Sequence, residues 1–151
     1  MLNKKYLKLK TEIIIYDNKI HILIDLLRFR LKWTFKELKE ILFNSHINGA
    51  FTDKNDKIII LMYNIKLKCR EEDSYLILFH TISTLYHEIR HSYQRVNNPF
   101  KWCKGRMAYV SEGDGYIQQW TEKDAYGFGN MMFDRYLNKI CDILFEKENV
   151  K

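Results

Sequence analysis

His87, Glu88, Ile89, Arg90 and His91 spell H-E-x-x-H within a stretch whose apolar spacing is helical. In a helix, residues four apart lie on one face, one turn above the other. The imidazoles of His87 and His91 can therefore address a single cation. Glu88, next to the first of them, can reach a water held there. Two neutral nitrogen ligands, a carboxylate base and a divalent ion are what water activation near neutral pH requires. Zn2+ is the expected ion. Hydrolysis of a peptide bond in a peptide or protein substrate is the expected chemistry, with Glu88 as the catalytic base. The competing reading is two surface histidines beside a chance glutamate, since so short a motif also arises by accident.

The helical faces argue for the first reading. At about 100° per residue, Leu78, Phe79, Ile82, Leu85, Tyr86, Ile89 and Tyr93 fall on one arc. His80, Ser83, Thr84, His87, His91 and Gln94 fall on the other. A solvated face would carry Lys and Glu; this one carries groups suited to lining a groove.

Catalytic zinc usually has three protein ligands and one open position. No histidine follows His91, so the third ligand must be a carboxylate, a thiolate or an upstream histidine. The downstream carboxylates are Glu112, Asp114, Glu122 and Asp124. Ala125, Tyr126, Gly129, Phe133, Tyr136, Ile140 and Leu144 share the side of the final helix that carries Glu122, which makes it the buried stripe. Asp124 shares its side with Arg135, Asn138 and Asp142, the wet face. A carboxylate on an apolar stripe is costly to bury unless it is paired or binds a metal. Glu122 is thus preferred to Asp124 as third ligand. The alternative is an ion pair of Glu122 with Arg90 or a lysine. The small Ala125 and Gly129 leave room for another element to approach, and the metal helix is the natural one.

The elements that must position these residues can be read in outline. Glu12–Tyr16 reads as a strand; in residues 17–32, Ile20, Leu23, Ile24, Leu27 and Leu31 keep helical spacing, while Ile20–Ile24 also fits a strand. Thr34-Phe35-Lys36-Glu37 matches a capping box that opens a helix. Asp53–Asp56 is a turn between strands Ala50–Thr52 and Lys57–Tyr63, the second Ile-rich and therefore central. Glu71-Glu72-Asp73-Ser74 sets the start of the motif helix, about Tyr75 to Gln94. Residues 95–115, with Pro99 and three glycines, read as an irregular connection. A long helix follows over about 116–145. The fold class expected is α+β: a small, mainly antiparallel sheet packed on the motif helix and a long C-terminal helix, all one domain over 1–151.

Composition fits that outline. The 151 residues are 46% hydrophobic, with one proline and six glycines, which suits one packed core without a flexible linker. The net charge of +6 comes from scattered lysines, so a nucleic-acid partner is possible but not favoured. Three cysteines without a C-x-x-C suggest reduced thiols and a cytoplasmic protein, though a thiolate ligand stays open. No apolar run reaches membrane-spanning length, so no membrane association is expected.

The stretch Thr84–Tyr93 resembles the extended zincin metallopeptidase pattern, with Arg90 at a place that is normally uncharged. The segment Glu122-Lys123-Asp124-Ala125-Tyr126-Gly127-Phe128 is similar to the E-x-x-A-x-x-F signature of the ImmA/IrrE-like peptidases, whose first Glu is the third zinc ligand. The H-E-x-R-H-x-x-Q and E-x-D-A pair is also similar to uncharacterised bacterial and phage zincins. SprT-like proteins are a more distant comparison. The resemblance implies a minimal gluzincin-like fold, zinc on His87, His91 and Glu122, and a substrate held in extended form along an edge strand such as Ala50–Thr52. Tyr109, Tyr116, Tyr126 and Arg90 are the candidates to stabilise an oxyanion. The alternative function is a zinc-containing regulatory or binding protein with a protein or nucleic-acid partner. Its site would be closed by a fourth ligand such as Cys103 or His80.

Overall fold

A computed structural model describes residues 6, 9–28, 33–52, 56–69, 74–110 and 113–148, with side chains described through Ile143. Three strands, β1 (Glu12–Tyr16), β2 (Gly49–Thr52) and β3 (Lys57–Leu61), form one sheet in the order β1-β3-β2. The helices are α1 (Lys19–Leu27), α2 (Phe35–Phe43), α3 (Met62–Lys68), α4 (Ser74–Asn97), α5 (Pro99–Met107), α6 (Asp114–Gln118) and α7 (Trp120–Glu148). The α+β class holds.

The sheet is mixed rather than mainly antiparallel. β2 runs antiparallel to β3, but β1 pairs with β3 in parallel, Glu12 opposite Lys57 through Tyr16 opposite Leu61. Between β1 and β3 the chain passes through α1, α2 and β2, and a crossover of that length permits parallel pairing. β3 is the central strand, as its isoleucines suggest. Ile59 and Leu61 face a core with Tyr16, Ile22 and Ile41 on the α1/α2 side. Ile58 and Ile60 face Ile65 and Cys69, with Ile77, Leu85 and Ile89 of α4 packed against them. Each fully buried isoleucine contributes roughly 1.5–3 kcal/mol, so the two faces of β3 anchor both layers.

Local signals account for several boundaries. The Thr34 capping box forms: the Thr34 hydroxyl accepts from the Glu37 N–H at 3.2 Å, and Glu37 accepts from the Thr34 N–H at 2.7 Å. α4 contains neither Gly nor Pro and stops at Asn97, just before Pro99, which opens α5. Three helices depart from the sequence-based outline. α3 begins directly where β3 ends, whereas the strand was expected to run on to Tyr63. α5 and α6 occupy the region read as irregular. α5 carries one buried side chain, Trp102, so no apolar stripe announces it. The expected turn at 53–55 and the acidic residues 71–73 lie outside the described residues.

α4 packs most extensively on α7 and also covers β2 and β3. The α4 residues buried most deeply are polar: Thr81, Glu88, His91, Ser92 and Gln94. The apolar arc from Leu78 to Tyr93 is only partly covered. The buried edge carries Thr81, Glu88 and Ser92, and beside it the polar arc, with His80, Ser83, Thr84, His87 and His91, lines a cleft.

Candidate metal centre

Two helices bring the site together. α4 supplies His87, Glu88 and His91, and α7 supplies Glu122 from its first turn. The close approach depends on small residues. A Cβ built on Gly129 of α7 would lie 3.6 Å from the Ser83 carbonyl oxygen and 3.7 Å from the His87 nitrogen. Ala125, one turn earlier, is fully buried. The stripe deduced from Glu122 therefore does face α4, with Tyr126 at its border, 44% exposed and its ring 4.5 Å from that of His87, and the side chain of Leu144 lies outside the described residues.

His87, His91 and Glu122 each offer one ligand atom, all within 4.8 Å of one another, and they could hold a metal ion. They are the one such group among the described residues. The two Nε2 atoms are 2.9 Å apart. Glu122 Oε2 lies 3.3 Å from His87 Nε2 and 3.5 Å from His91 Nε2. Two ligands each about 2.0–2.1 Å from a tetrahedral zinc are about 3.3 Å apart, so the triangle has the size of a tetrahedral face.

The donor set passes a second test of fit. Glu122 Oε2 is buried and makes no hydrogen bond. Buried polar atoms rarely go unpaired, and an ion is one of the few explanations. The tautomer of His91 is suitable too. Gln94 Nε2 donates to the Thr121 carbonyl at 2.9 Å and to Asp124 Oδ2 at 2.7 Å. With both amide hydrogens engaged, Gln94 must turn its carbonyl oxygen to His91 Nδ1, 3.0 Å away. His91 then donates from Nδ1 and presents the Nε2 lone pair to the cluster.

Electrostatics follow from this packing. Burial alone would raise the Glu122 carboxyl pKa, but the imidazoles of His87 and His91 and the Tyr116 hydroxyl outweigh it and hold Glu122 well below the usual carboxylate range. Burial would lower His91, and its contacts with Glu122, Glu88 and Gln94 raise it instead. Glu88 is 5% exposed, and burial raises its pKa despite the opposing influence of His87 and His91. The Phe51 N–H of β2 donates to the Glu88 carboxylate.

These groups line a cleft of about 1120 Å³ walled by α2, β2, α4, the α5–α6 segment and α7. β2 presents its open edge to it. Leu61 N–H donates to Asn48 O at 2.7 Å. By antiparallel alternation, Gly49 and Phe51 turn their peptide groups away from β3. Tyr109, Tyr116 and Tyr126 also line the cleft. Burial raises all three phenols, Tyr109 to about 12, so they keep their protons near neutrality.

Several sequence-based candidates fall elsewhere. Asp124 is not a ligand: Arg90 grips it with two hydrogen bonds, at 2.7 and 2.9 Å. That bond also removes Arg90 from the oxyanion candidates and from any pairing with Glu122. His80 is exposed on the cleft wall, and Cys103 is exposed on α5; neither joins the cluster. Asp114 lies exposed on α6, and Glu112 lies outside the described residues. Gln94 escaped notice as a site residue, although its place one turn beyond His91, on the same arc, was a usable signal. No protein-family model, no curated protein and no solved structure matches the chain.

Proposed function

We propose that this protein is a small zinc-dependent metallopeptidase, similar in its motif pair to the zincins and the ImmA/IrrE-like peptidases. The observation that carries the reading is the position of Glu88. It is a buried carboxylate beside a ligand triangle, next to the open edge of β2 in the same cleft. A solvated face or a purely structural metal site has no use for such a group.

His87 Nε2, His91 Nε2 and Glu122 Oε2 would hold the ion. Zinc there would supply Lewis acidity, bringing the pKa of water towards neutrality and polarising a substrate carbonyl. Glu88, with its raised pKa, suits a group that accepts a proton from water and passes it to the leaving amine. The Phe51 N–H is taken by Glu88, and the remaining outward groups of Gly49 and Phe51 suit an extended peptide bound by strand addition. The one O–H of Tyr116 is held by Glu122, where it helps keep that carboxylate ionised as a ligand.

The test is Glu88→Gln, with zinc content measured beside cleavage of a mixed peptide library read by mass spectrometry. The variant should keep its zinc and lose hydrolysis. Full activity in Glu88→Gln would refute the mechanism. A zinc-loaded wild type that cleaves nothing would favour the alternative, a zinc-containing binding protein.

A further inference from the structure

Behind the metal helix, away from the cleft, lies a second cavity of about 630 Å³, lined by Arg90, Tyr93 and Asp124 among others. Tyr6, from the N-terminal segment, fills an aromatic slot there. Its ring stacks on Tyr93 at 4.4 Å and on Phe128 at 5.2 Å, with interplanar angles of 21° and 15°. The Arg90 guanidinium lies over the outer two rings, 4.8 Å from the centre of Tyr93 and 5.1 Å from that of Phe128. Arg90 Nη1 donates to the Tyr6 hydroxyl, and its Nε and Nη2 grip Asp124. Asp124 in turn accepts from Gln94, whose carbonyl accepts from His91.

We infer that Tyr6, Arg90, Asp124 and Gln94 form a positioning relay that orients His91 and sets its strength as a metal ligand. Each member fixes the next. Tyr6 and the two flanking rings hold the guanidinium plane. That plane fixes the Asp124 carboxylate, and the carboxylate, together with the Thr121 carbonyl, fixes which way the Gln94 amide faces. A reversed Gln94 amide would present N–H to His91 Nδ1. The ring would then have to donate from Nε2, and the ligand lone pair would be lost. Outer partners of metal-bound histidines commonly matter roughly 10–100-fold in metal affinity. This relay is unusual in ending on a residue some eighty positions away in sequence, so the N-terminal segment contributes to a centre built wholly from α4 and α7. The inference rests on the metal centre and not on the hydrolytic reading.

The test is Zn2+ affinity of the full chain, by competition with a chromophoric chelator, together with the visible spectrum of the Co2+-loaded protein. Gln94→Ala should weaken Zn2+ binding roughly 10–100-fold, and Tyr6→Phe, which keeps the stacking and removes the hydroxyl, by at least about threefold. Tyr6→Phe should also shift the Co2+ bands. In a Gln94→Ala background, Tyr6→Phe should have no further effect, because the relay is already cut. Circular dichroism of each metal-free variant checks folding, and Tyr6→Phe is the variant least able to disturb it. Unchanged affinity and an unchanged Co2+ spectrum in Tyr6→Phe would overturn the relay, leaving Tyr6 a packing strap. Equal effects of Tyr6→Phe in both backgrounds would overturn it as well. A wild type that binds Zn2+ no better than His87→Ala would remove the metal centre, and the relay with it. A failure to cleave peptides bears on the proposed function alone.

Discussion

Gly49 is where the cleft strand touches the proposed base, and Gly49→Ala tests that contact. A Cβ at Gly49 would lie 2.6 Å from Thr84 Cγ2, 3.0 Å from Glu88 Cγ and 3.1 Å from Glu88 Oε1. Carbon atoms in comfortable contact are about 3.5–4.0 Å apart, so α4 and β2 must separate, or Thr84 and Glu88 must move, by about 1 Å. The Gly49 backbone itself accepts alanine, since its φ is not positive. Alanine in a strand is worth about 0.5–1 kcal/mol over glycine, and overpacking costs about 1–3 kcal/mol. The net should be a loss of about 1–2 kcal/mol, which in a chain of this size lowers Tm by about 3–6 °C. The larger effect should be on catalysis, where misplacement by about 1 Å can cost about 100-fold. The atoms nearest the new methyl belong to Thr84 and Glu88 rather than to His87, His91 or Glu122, so zinc binding should be largely retained. Calorimetry, chelator competition and peptide cleavage on one preparation separate the three quantities. Wild-type kcat in Gly49→Ala, with Tm unchanged, would show that Glu88 does not sit against β2 as described.

Two further outcomes are expected. Gly127 is exposed in the middle of α7, and a Cβ there would meet nothing within 4 Å; Gly127→Ala should raise stability by about 1 kcal/mol in chemical denaturation without changing zinc affinity. Tyr63 donates its hydroxyl to the Ile41 carbonyl at 2.9 Å, and burial pushes its phenol up to about 12. A raised folded pKa means that its stabilising contribution is complete below the unfolded value of about 10 and is lost as pH rises through about 12. The difference in 295 nm absorbance between wild type and Tyr63→Phe should therefore titrate near 12; a midpoint near 10 would contradict the burial.

Much of the centre was legible because helical geometry is local. The spacing of His87 and His91 and the placement of Glu122 on the stripe of Ala125 and Gly129 follow from a period of 3.6 residues, and they suffice to prefer Glu122 to Asp124. The Thr34 capping box was legible for the same reason. What escaped depends on contacts between distant parts of the chain. The parallel pairing of β1 with β3 is a choice among partners that strand sequences do not record. α5 is held by one buried tryptophan rather than by periodicity, and Pro99 reads as a breaker until it is seen at a first helical turn. The polar arc of α4 was expected to line a groove and does so, but the burial of Glu88, His91 and Gln94 depends on α7 and β2 closing over them. Arg90 looked out of place in a zincin pattern because its partners, Asp124 and Tyr6, are 34 and 84 residues away.

Binding and chemistry alike depend on His87, His91 and Glu122 converging on a single ion. The most direct measurement is a crystal structure of the zinc-loaded protein with anomalous data on both sides of the zinc absorption edge. One strong peak is expected about 2.0–2.1 Å from His87 Nε2 and His91 Nε2 and from a Glu122 carboxylate oxygen, absent in Glu122→Ala at limiting zinc. A peak coordinated elsewhere, or none with those three side chains turned apart, would contradict it.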